Sequence, residues 1–294
     1  MRLRRSIHFV PGGNDKMFTK ALGLPADSLI LDLEDAVTPQ RKHEARIEVC
    51  NWLKETDFGK QERLVRINPL DSPWGREDLY AIMQNPPDGI VFPKVLNLKD
   101  VEVLDELLTQ YEKELGIEQR SVRLLLIGTE LAGAVFHLPQ MVTHPRVDAV
   151  TWGAEDLSVS LGARAKRDEQ GNYLEVFSFV RSMCLLAAVA AQVQPIDAVF
   201  VEIKDSAGLA RECKTAADMG YTGKITIHPS QIEIVNQAFS SSDAEIARAR
   251  ELLEAFAENQ KQGRMAFRFE GEMVDVPHLK RAERILEIAK LSAD

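Results

Sequence analysis

The stretch Val150-Thr151-Trp152-Gly153-Ala154-Glu155-Asp156 has the pattern of a buried strand that ends abruptly on two carboxylates. A second stretch of this kind precedes it, in which Leu124-Leu125-Leu126-Ile127 runs into Gly128-Thr129-Glu130. Apolar runs of this length next to glycine are typical of strands that are buried on both faces of a parallel sheet. The two stretches therefore predict a parallel sheet whose strands end in acidic side chains.

The chain on either side of these stretches repeats the same alternation of strand and helix. Six further strands are predicted at residues 6–10, 28–33, 64–67, 89–92, 198–203 and 224–227, and a helical pattern follows most of them. About eight β-then-α units in succession predict an α/β fold, a (β/α)8 TIM barrel. An open doubly wound sheet is the alternative, but such a sheet rarely needs so many consecutive units.

The pattern changes after the eighth unit. Ser240-Ser241-Ser242-Asp243 is a polar break and a candidate N-cap for a long helix from Ala244 to about Gln262. A short extended or hairpin segment at 267–274 and a last helix from Pro277 to about Leu291 follow. We therefore predict a barrel domain at 1–239 and a C-terminal helical extension and lid at 240–294. The extension is expected to be too small for a core of its own and to pack on the barrel or on a neighbouring subunit.

Composition narrows the class of protein. The 294 residues carry a formal net charge of -9, which argues against nucleic acid or an anionic membrane as the main partner. The basic N-terminus has no apolar signal segment, and the apolar stretch near 183–193 is too short to span a bilayer. The three cysteines are widely spaced and odd in number, which is typical of reduced thiols. These features predict a cytoplasmic protein.

Polar side chains recur where the predicted strands end, at the rim on which barrels of this type keep their chemistry. The set comprises Asp32, Glu34, Asp35, Arg66, Asn68, Lys94, Glu130, Asp156, Asp205 and His228. Glu130 and Asp156 have no His or Cys beside them, so we predict that they hold a hard divalent cation, Mg2+ with Mn2+ as the alternative. The alternative role for these two carboxylates is to cap helices or to pair with arginine.

Arg66 is the candidate substrate-binding arginine, because its rigid fork suits carboxylate or carbonyl oxygens. Its alternative role is a structural salt bridge to Glu34 or Asp35. Glu34, Asp35, Asn68 and Lys94 are candidate supporting residues, and Lys94 is equally well explained as a packed strand-end lysine with a solvated head.

Several motifs, in order along nearly the whole chain, resemble the citrate lyase beta-subunit-like group of the HpcH/HpaI aldolase superfamily. They are Arg5-Ser6 with Phe9-Val10-Pro11-Gly12, Leu31-Asp32-Leu33-Glu34-Asp35-Ala36-Val37, Arg66-Ile67-Asn68-Pro69, Phe92-Pro93-Lys94-Val95, Gly153-Ala154-Glu155-Asp156-Leu157, Ile227-His228-Pro229-Ser230-Gln231 and Gly271-Glu272-Met273-Val274-Asp275-Val276-Pro277.

The resemblance implies a Mg2+-dependent enzyme that makes or breaks a carbon–carbon bond next to a thioester of CoA or an acyl carrier. Related members act on malyl, citramalyl and citryl thioesters. By position, Glu130 and Asp156 match the metal ligands, with Glu130 also in the substrate site, and Arg66 matches the substrate-binding arginine. Asp275 matches an acid/base that reaches a neighbour's site, which implies a homo-oligomer, a homotrimer or hexamer. Its alternative role is an N-cap of the last helix.

Three functions remain open. The first is a thioester carbon–carbon lyase, the second a thioester hydrolase on the same scaffold, and the third a non-catalytic or complex-dependent subunit. A basic mouth for the CoA phosphates is predicted from Arg4, Arg5, Lys16 and Lys20. The alternative for these four residues is a solvated charge cluster.

Overall fold

Eight parallel strands close into one barrel in the computed structural model of the protein, which describes residues 2–293. Each strand pairs with the next in chain order, and β8 pairs with β1 to complete the ring. The strands are β1 Ser6–Pro11, β2 Ser28–Asp32, β3 Glu62–Arg66, β4 Gly89–Phe92, β5 Arg123–Ile127, β6 Val147–Thr151, β7 Gln194–Asp197 and β8 Gly223–Thr226. The predicted (β/α)8 TIM barrel is confirmed, and the closed ring excludes the open doubly wound sheet.

Helices surround this ring, with at least one after every strand. They are α1 Asp15–Leu22, α2 Lys42–Glu55, α3 Gly75–Ile82, α4 Leu98–Leu115, α5 Leu138–Met141, α6 Ala154–Leu161, α7 Glu175–Ala190, α8 Ser206–Met219 and α9 Pro229–Ala238. Short 3-10 turns, Pro39–Arg41 and Ala132–Phe136, lead into α2 and α5. Within residues 2–293, no helix combines the length and the apolar character needed to cross a membrane.

The interior of the barrel is filled by inward-facing aliphatic side chains from every strand. They are Ile7, Ile30, Leu64, Val91, Leu125, Ile127, Ala149, Ile196 and Ile225, all of them buried. Such packing makes the barrel a solid core rather than a pore. The polar chemistry is therefore confined to the ends of the strands.

The seventh strand is where the sequence prediction was wrong. We expected it at 198–203, but the structure places it at Gln194–Asp197, four residues earlier. Pro195 and Asp197 hide this strand in the sequence, because proline cannot donate to the ladder and aspartate is uncommon in strands. Asp197 is tolerated because its carboxylate is fully buried against Lys224 and Arg181. Asp205 consequently does not end a strand, and it caps α8 by accepting from the backbone N–H of Gly208 at 2.8 Å.

The chain divides into two compact units, Arg4–Asn236 and a second that contains the C-terminal residues from Gln237 onward together with the N-terminal residues before Arg4. The second unit contains α10 Asp243–Lys261, a hairpin of β9 Phe267–Phe269 and β10 Glu272–Val274, and α11 Val276–Ala293. Ser242 is the N-cap of α10, in a reciprocal capping box with Glu245.

We expected the extension to be too small for a well-filled core of its own, and the structure shows that it has a small buried apolar cluster. Ala249, Leu252 and Phe256 of α10 pack with Val274 and Ala282 in one buried cluster. Phe267 of the hairpin lies edge-on to Phe256, with ring centroids 4.8 Å apart. The hairpin thus supplies apolar surface that a pair of helices alone would lack.

Candidate active site

A cavity of about 340 Å³ lies at the carboxyl ends of the barrel strands. Its polar wall includes Arg66, Glu130, Asp156, Asp32 and Asp35, all five of which the sequence placed at the ends of strands. Its apolar wall includes Phe9, Ile127, Val199, Ile225 and Ile227. An apolar cleft with a few converging charged groups is the usual form of a small-molecule site.

Glu130 is buried, and its position depends on a glycine. A Cβ on Gly153 would lie 2.5 Å from Glu130 Cγ, so only glycine lets the turn after β6 approach the turn after β5. Burial and the nearby charges of Glu34 and Asp156 raise the pKa of Glu130 to about 8, against a hydrogen bond from the backbone N–H of Lys94. Asp156 is 37% exposed at the same cavity, so the two carboxylates differ in their contact with solvent.

Arg66 forms its main ion pair with Asp32. Nε and Nη2 donate to the two carboxylate oxygens at 2.7 and 2.8 Å, a bidentate arrangement. Arg66 Nη1 lies 3.0 Å from Glu34 Oε2 without the angle of a hydrogen bond, and that oxygen has no hydrogen-bond donor among residues 2–293. The sequence anticipated a salt bridge to Glu34 or Asp35 but missed Asp32. The Asp32 carboxylate itself is fixed by the backbone N–H groups of Glu34 and Ala36.

Lys94 connects the supporting carboxylates to the two candidate metal ligands. Its ammonium donates to Glu34 Oε1, lies 3.3 Å from Asp35 Oδ2 and is 3.8 Å from Asp156 Oδ1. Burial alone would lower the pKa of Lys94, but the hydrogen bond and the charge of Glu34 raise it above its ordinary value. Lys94 is thus an ion-paired cation beside the site, although its side chain is still 29% exposed.

Asn68 does not line the cavity. Its side-chain amide donates to Leu33 O at 2.8 Å and to Asp78 Oδ2 at 2.6 Å, so Asn68 holds the backbone after β2 in place. Lys42, which the sequence analysis missed, has the same role, because its ammonium donates to the backbone oxygens of Leu33 and Glu34 at 2.8 Å each. A lysine in the first turn of α2 carries no sequence signal for this contact.

The predicted basic mouth for CoA was wrong for Arg4 and Arg5. Both residues precede β1 and lie at the amino-terminal ends of the strands, opposite the cavity. Arg5 pairs with Asp27 through Nε and Nη2, and Arg4 is buried against Glu62. Lys16 and Lys20 are exposed on α1, whose Met17 lines the cavity, so these two lysines remain candidates for the CoA phosphates.

Asp275 belongs to the second compact unit, immediately before α11. Its side chain is 51% exposed, and Oδ1 lies 2.7 Å from His278 Nδ1. Its backbone oxygen accepts from Leu279 N–H at 3.2 Å, as expected of a residue at a helix start. Asp275 therefore occupies the position before α11, and its carboxylate is half exposed.

The side chains at the cavity fit a divalent cation. Within residues 2–293, no three His, Cys, Asp or Glu side chains are grouped so that they alone could ligate an ion. Mg2+ does not require three, because it usually takes one or two carboxylates and completes its shell with substrate and water. Glu130 supplies a buried carboxylate whose ionisation neighbouring negative charges oppose, and a divalent cation would remove that cost.

Comparison with known proteins identifies the family of the chain. A profile of the HpcH/HpaI aldolase/citrate lyase family matches residues 5–229. The chain is 34% identical over 289 residues to a (3S)-malyl-CoA thioesterase of Cereibacter sphaeroides, with 98% of this chain and 95% of that protein covered. It is 33% identical to the mitochondrial citramalyl-CoA lyase of Homo sapiens, with 97% of this chain and 85% of that protein covered.

Among solved structures, the CitE protein of Mycobacterium tuberculosis in complex with magnesium, acetoacetate and coenzyme A superposes with a TM-score of 0.80. The two sequences are 33% identical, and the superposition covers 98% of each chain. The likeness extends through both compact units of the present chain.

Proposed function

The chain belongs to the HpcH/HpaI aldolase/citrate lyase family and is an enzyme with the family's lyase or thioesterase chemistry, and on that premise we propose that it is a Mg2+-dependent carbon–carbon lyase. Its proposed substrate is a β-hydroxyacyl thioester such as citramalyl-CoA, malyl-CoA or a citryl thioester of CoA or an acyl carrier. Cleavage gives an acyl thioester and a 2-oxo acid, and the reverse reaction condenses them. The observation that carries the proposal is the meeting of Arg66, Glu130 and Asp156 at one cavity.

In the proposed mechanism, Glu130 and Asp156 would hold Mg2+, which when bound acts as a Lewis acid and template for the 2-oxo acid half of the substrate. Arg66 presents guanidinium donors, held by Asp32, to the oxygen on which negative charge develops. Transfer of the β-hydroxyl proton to solvent turns the C–O bond into a carbonyl, the bond between the α and β carbons breaks, and its electron pair passes to the thioester enolate. Asp275 is the proposed acid that returns a proton to the enolate carbon.

The test is a screen of malyl-, citramalyl- and citryl-CoA with Mg2+ and with EDTA, with products identified by mass. Acyl-CoA plus a 2-oxo acid in the Mg2+ samples alone supports the lyase. Free CoA plus a hydroxy acid supports the alternative, a thioester hydrolase, which the name of the Cereibacter relative favours. No turnover of any free CoA thioester would favour a complex-dependent citrate lyase beta subunit.

Replacing Glu130 by glutamine or Asp156 by asparagine is expected to weaken Mg2+ binding at least about tenfold, because each change removes a negative ligand and keeps its shape. Near pH 7 without metal, the thermal midpoint of Glu130→Gln should equal that of the wild type, since a carboxyl with a pKa of about 8 is largely uncharged there and the amide resembles it. Titration calorimetry with MgCl2 and thermal unfolding measure both effects. Wild-type affinity in both variants would exclude these residues as ligands.

We propose that the site is shared between subunits of a homotrimer or hexamer and that Asp275 is the shared residue. The Arg66→Ala and Asp275→Ala proteins should each be nearly inactive. After they are unfolded, mixed in equal amounts and refolded, about one quarter of the sites would combine an intact barrel with an intact neighbouring Asp275. Activity should therefore recover to about the same fraction of the wild-type activity. Mixed oligomers without recovered activity would place Asp275 in its own subunit's site or outside catalysis.

We also propose a reducing compartment, the cytoplasm, for the protein. Cys184 and Cys213 are buried and Cys50 is partly buried, and all three are free thiols. Buried, unpaired cysteines of this kind are usual where thiols are kept reduced. Fractionation of the source cells with compartment markers tests the location.

A further inference from the structure

Lys94 has an unusual backbone conformation for a lysine. Its φ is 51°, in the left-handed region, where a residue with a side chain is uncommon and the strain is often associated with function. In this conformation both ends of the residue reach the site. The backbone N–H donates to Glu130 Oε2, and the ammonium donates to Glu34 Oε1.

The charges around the cavity do not balance. Six carboxylates lie in or beside it, those of Asp32, Glu34, Asp35, Glu130, Glu155 and Asp156. The cations beside them are Arg66, Lys94, Lys42 and Lys166, the last of which pairs with Glu155. With every carboxylate ionised, two negative charges are left over, which is the charge that one divalent cation neutralises.

The position of the Lys94 ammonium relative to Asp156 is the decisive feature. Arg66 makes its bidentate contact with Asp32, Lys42 donates to backbone oxygens, and Lys166 pairs with Glu155. Lys94 Nζ alone of these four cations has an ion-pair contact with a candidate metal ligand, at 3.8 Å from Asp156 Oδ1. An ammonium and a divalent cation that share one carboxylate repel each other strongly, because the region is partly desolvated.

We propose that the Lys94 ammonium is a built-in counter-cation of the carboxylate cluster and competes with the divalent cation for it. Lys94 keeps Glu34, Asp35 and Asp156 together before metal binding and lowers the affinity of the empty site for metal. A substrate that brings its own carboxylate would offset this repulsion. The inference rests on the proposed function only for the choice of Glu130 and Asp156 as metal ligands.

The experiment compares three variants by calorimetric titration with MgCl2 alone, without substrate. Lys94→Met removes the charge and keeps the length of the side chain, and Lys94→Gln removes the charge but keeps a hydrogen-bond donor for Glu34. Lys94→Arg keeps the charge. The backbone N–H to Glu130 remains in all three. Lys214→Met, which neutralises an exposed lysine paired with Asp218 on α8, is the control for net charge.

Lys94→Met and Lys94→Gln are expected to bind Mg2+ at least about tenfold more tightly than the wild type. Lys94→Arg and Lys214→Met should bind it with wild-type affinity. A merely structural role for Lys94 predicts the opposite sign, because a disordered site binds metal more weakly. Circular dichroism shows whether each variant is folded. If Lys94→Met is not folded, Lys94→Gln is used to test the effect of removing the charge.

Unchanged or weaker Mg2+ binding by folded Lys94→Met and Lys94→Gln would overturn the counter-cation role. Tighter binding by Lys94→Arg as well would also overturn it, because the charge would then not be the cause. These results are separate from the proposed reaction, since they concern metal affinity without substrate. Failure of the lyase reaction would appear only in the product screen of the wild type.

Discussion

Arg66→Lys is expected to lower kcat/KM for the preferred thioester at least about a hundredfold while the barrel stays folded. The guanidinium lines the cavity and holds both oxygens of Asp32 through Nε and Nη2, while Nη1 lies 3.0 Å from Glu34 Oε2 without a hydrogen bond. Lysine offers one point charge and cannot make the bidentate contact and a substrate contact together. The measurement is steady-state kinetics with the best substrate from the product screen, alongside thermal unfolding.

Arg63→Lys is the matched control, because Arg63 lies on the same strand and also pairs with a carboxylate, that of Asp88. It is 30% exposed and does not line the cavity, so its replacement should leave kcat/KM within about twofold of the wild type. If Arg66→Lys retained nearly full activity, the arginine would belong to the structure of the rim alone. A fall in stability with unchanged activity would support that view.

Lys224→Met is expected to lower the free energy of unfolding by about 3–5 kcal/mol, because it removes one of the two cations that contact each of the buried carboxylates Asp197 and Glu212. Lys224 is fully buried, and its ammonium donates to Asp197 Oδ2 and to Glu212 Oε1 at 2.8 Å each. Burial alone would raise the pKa of Asp197, but Lys224 and Arg181 hold it well below its ordinary range. Methionine fills the space but provides no charge.

Urea unfolding followed by circular dichroism measures this loss. Lys214→Met is again the control, since its exposed pair with Asp218 should contribute less than about 1 kcal/mol. A loss below about 1 kcal/mol for Lys224→Met would mean that the buried carboxylates adapt, by taking up protons or water. The same network reaches the active site, because Trp152, which lines the cavity, donates to Asp197 Oδ1 at 2.9 Å.

The sequence was sufficient for the class of fold. Apolar runs such as 124–127 and 89–92 are buried on both faces of the sheet, so a continuous hydrophobic stretch in the sequence is enough to predict each strand. Because parallel strands end at one rim, the sequence also predicted that Glu130, Asp156 and Arg66 would come together. These features depend on local pattern and on the direction of the strands.

Pairing over long sequence distances was decided only by the tertiary structure. Asp197 could not be recognised as a strand end, because its burial depends on Arg181 and Lys224, cations on other elements. Arg5 and Lys16 are both basic residues near the N-terminus, yet Arg5 precedes β1 and Lys16 follows it. They therefore lie at opposite ends of the barrel. The role of Lys94 depends on its left-handed backbone and on carboxylates that follow three other strands. The partners of a charged side chain depend on which residues the fold brings near it, whereas the hydrophobic pattern of a strand can be read from the order of residues along the chain.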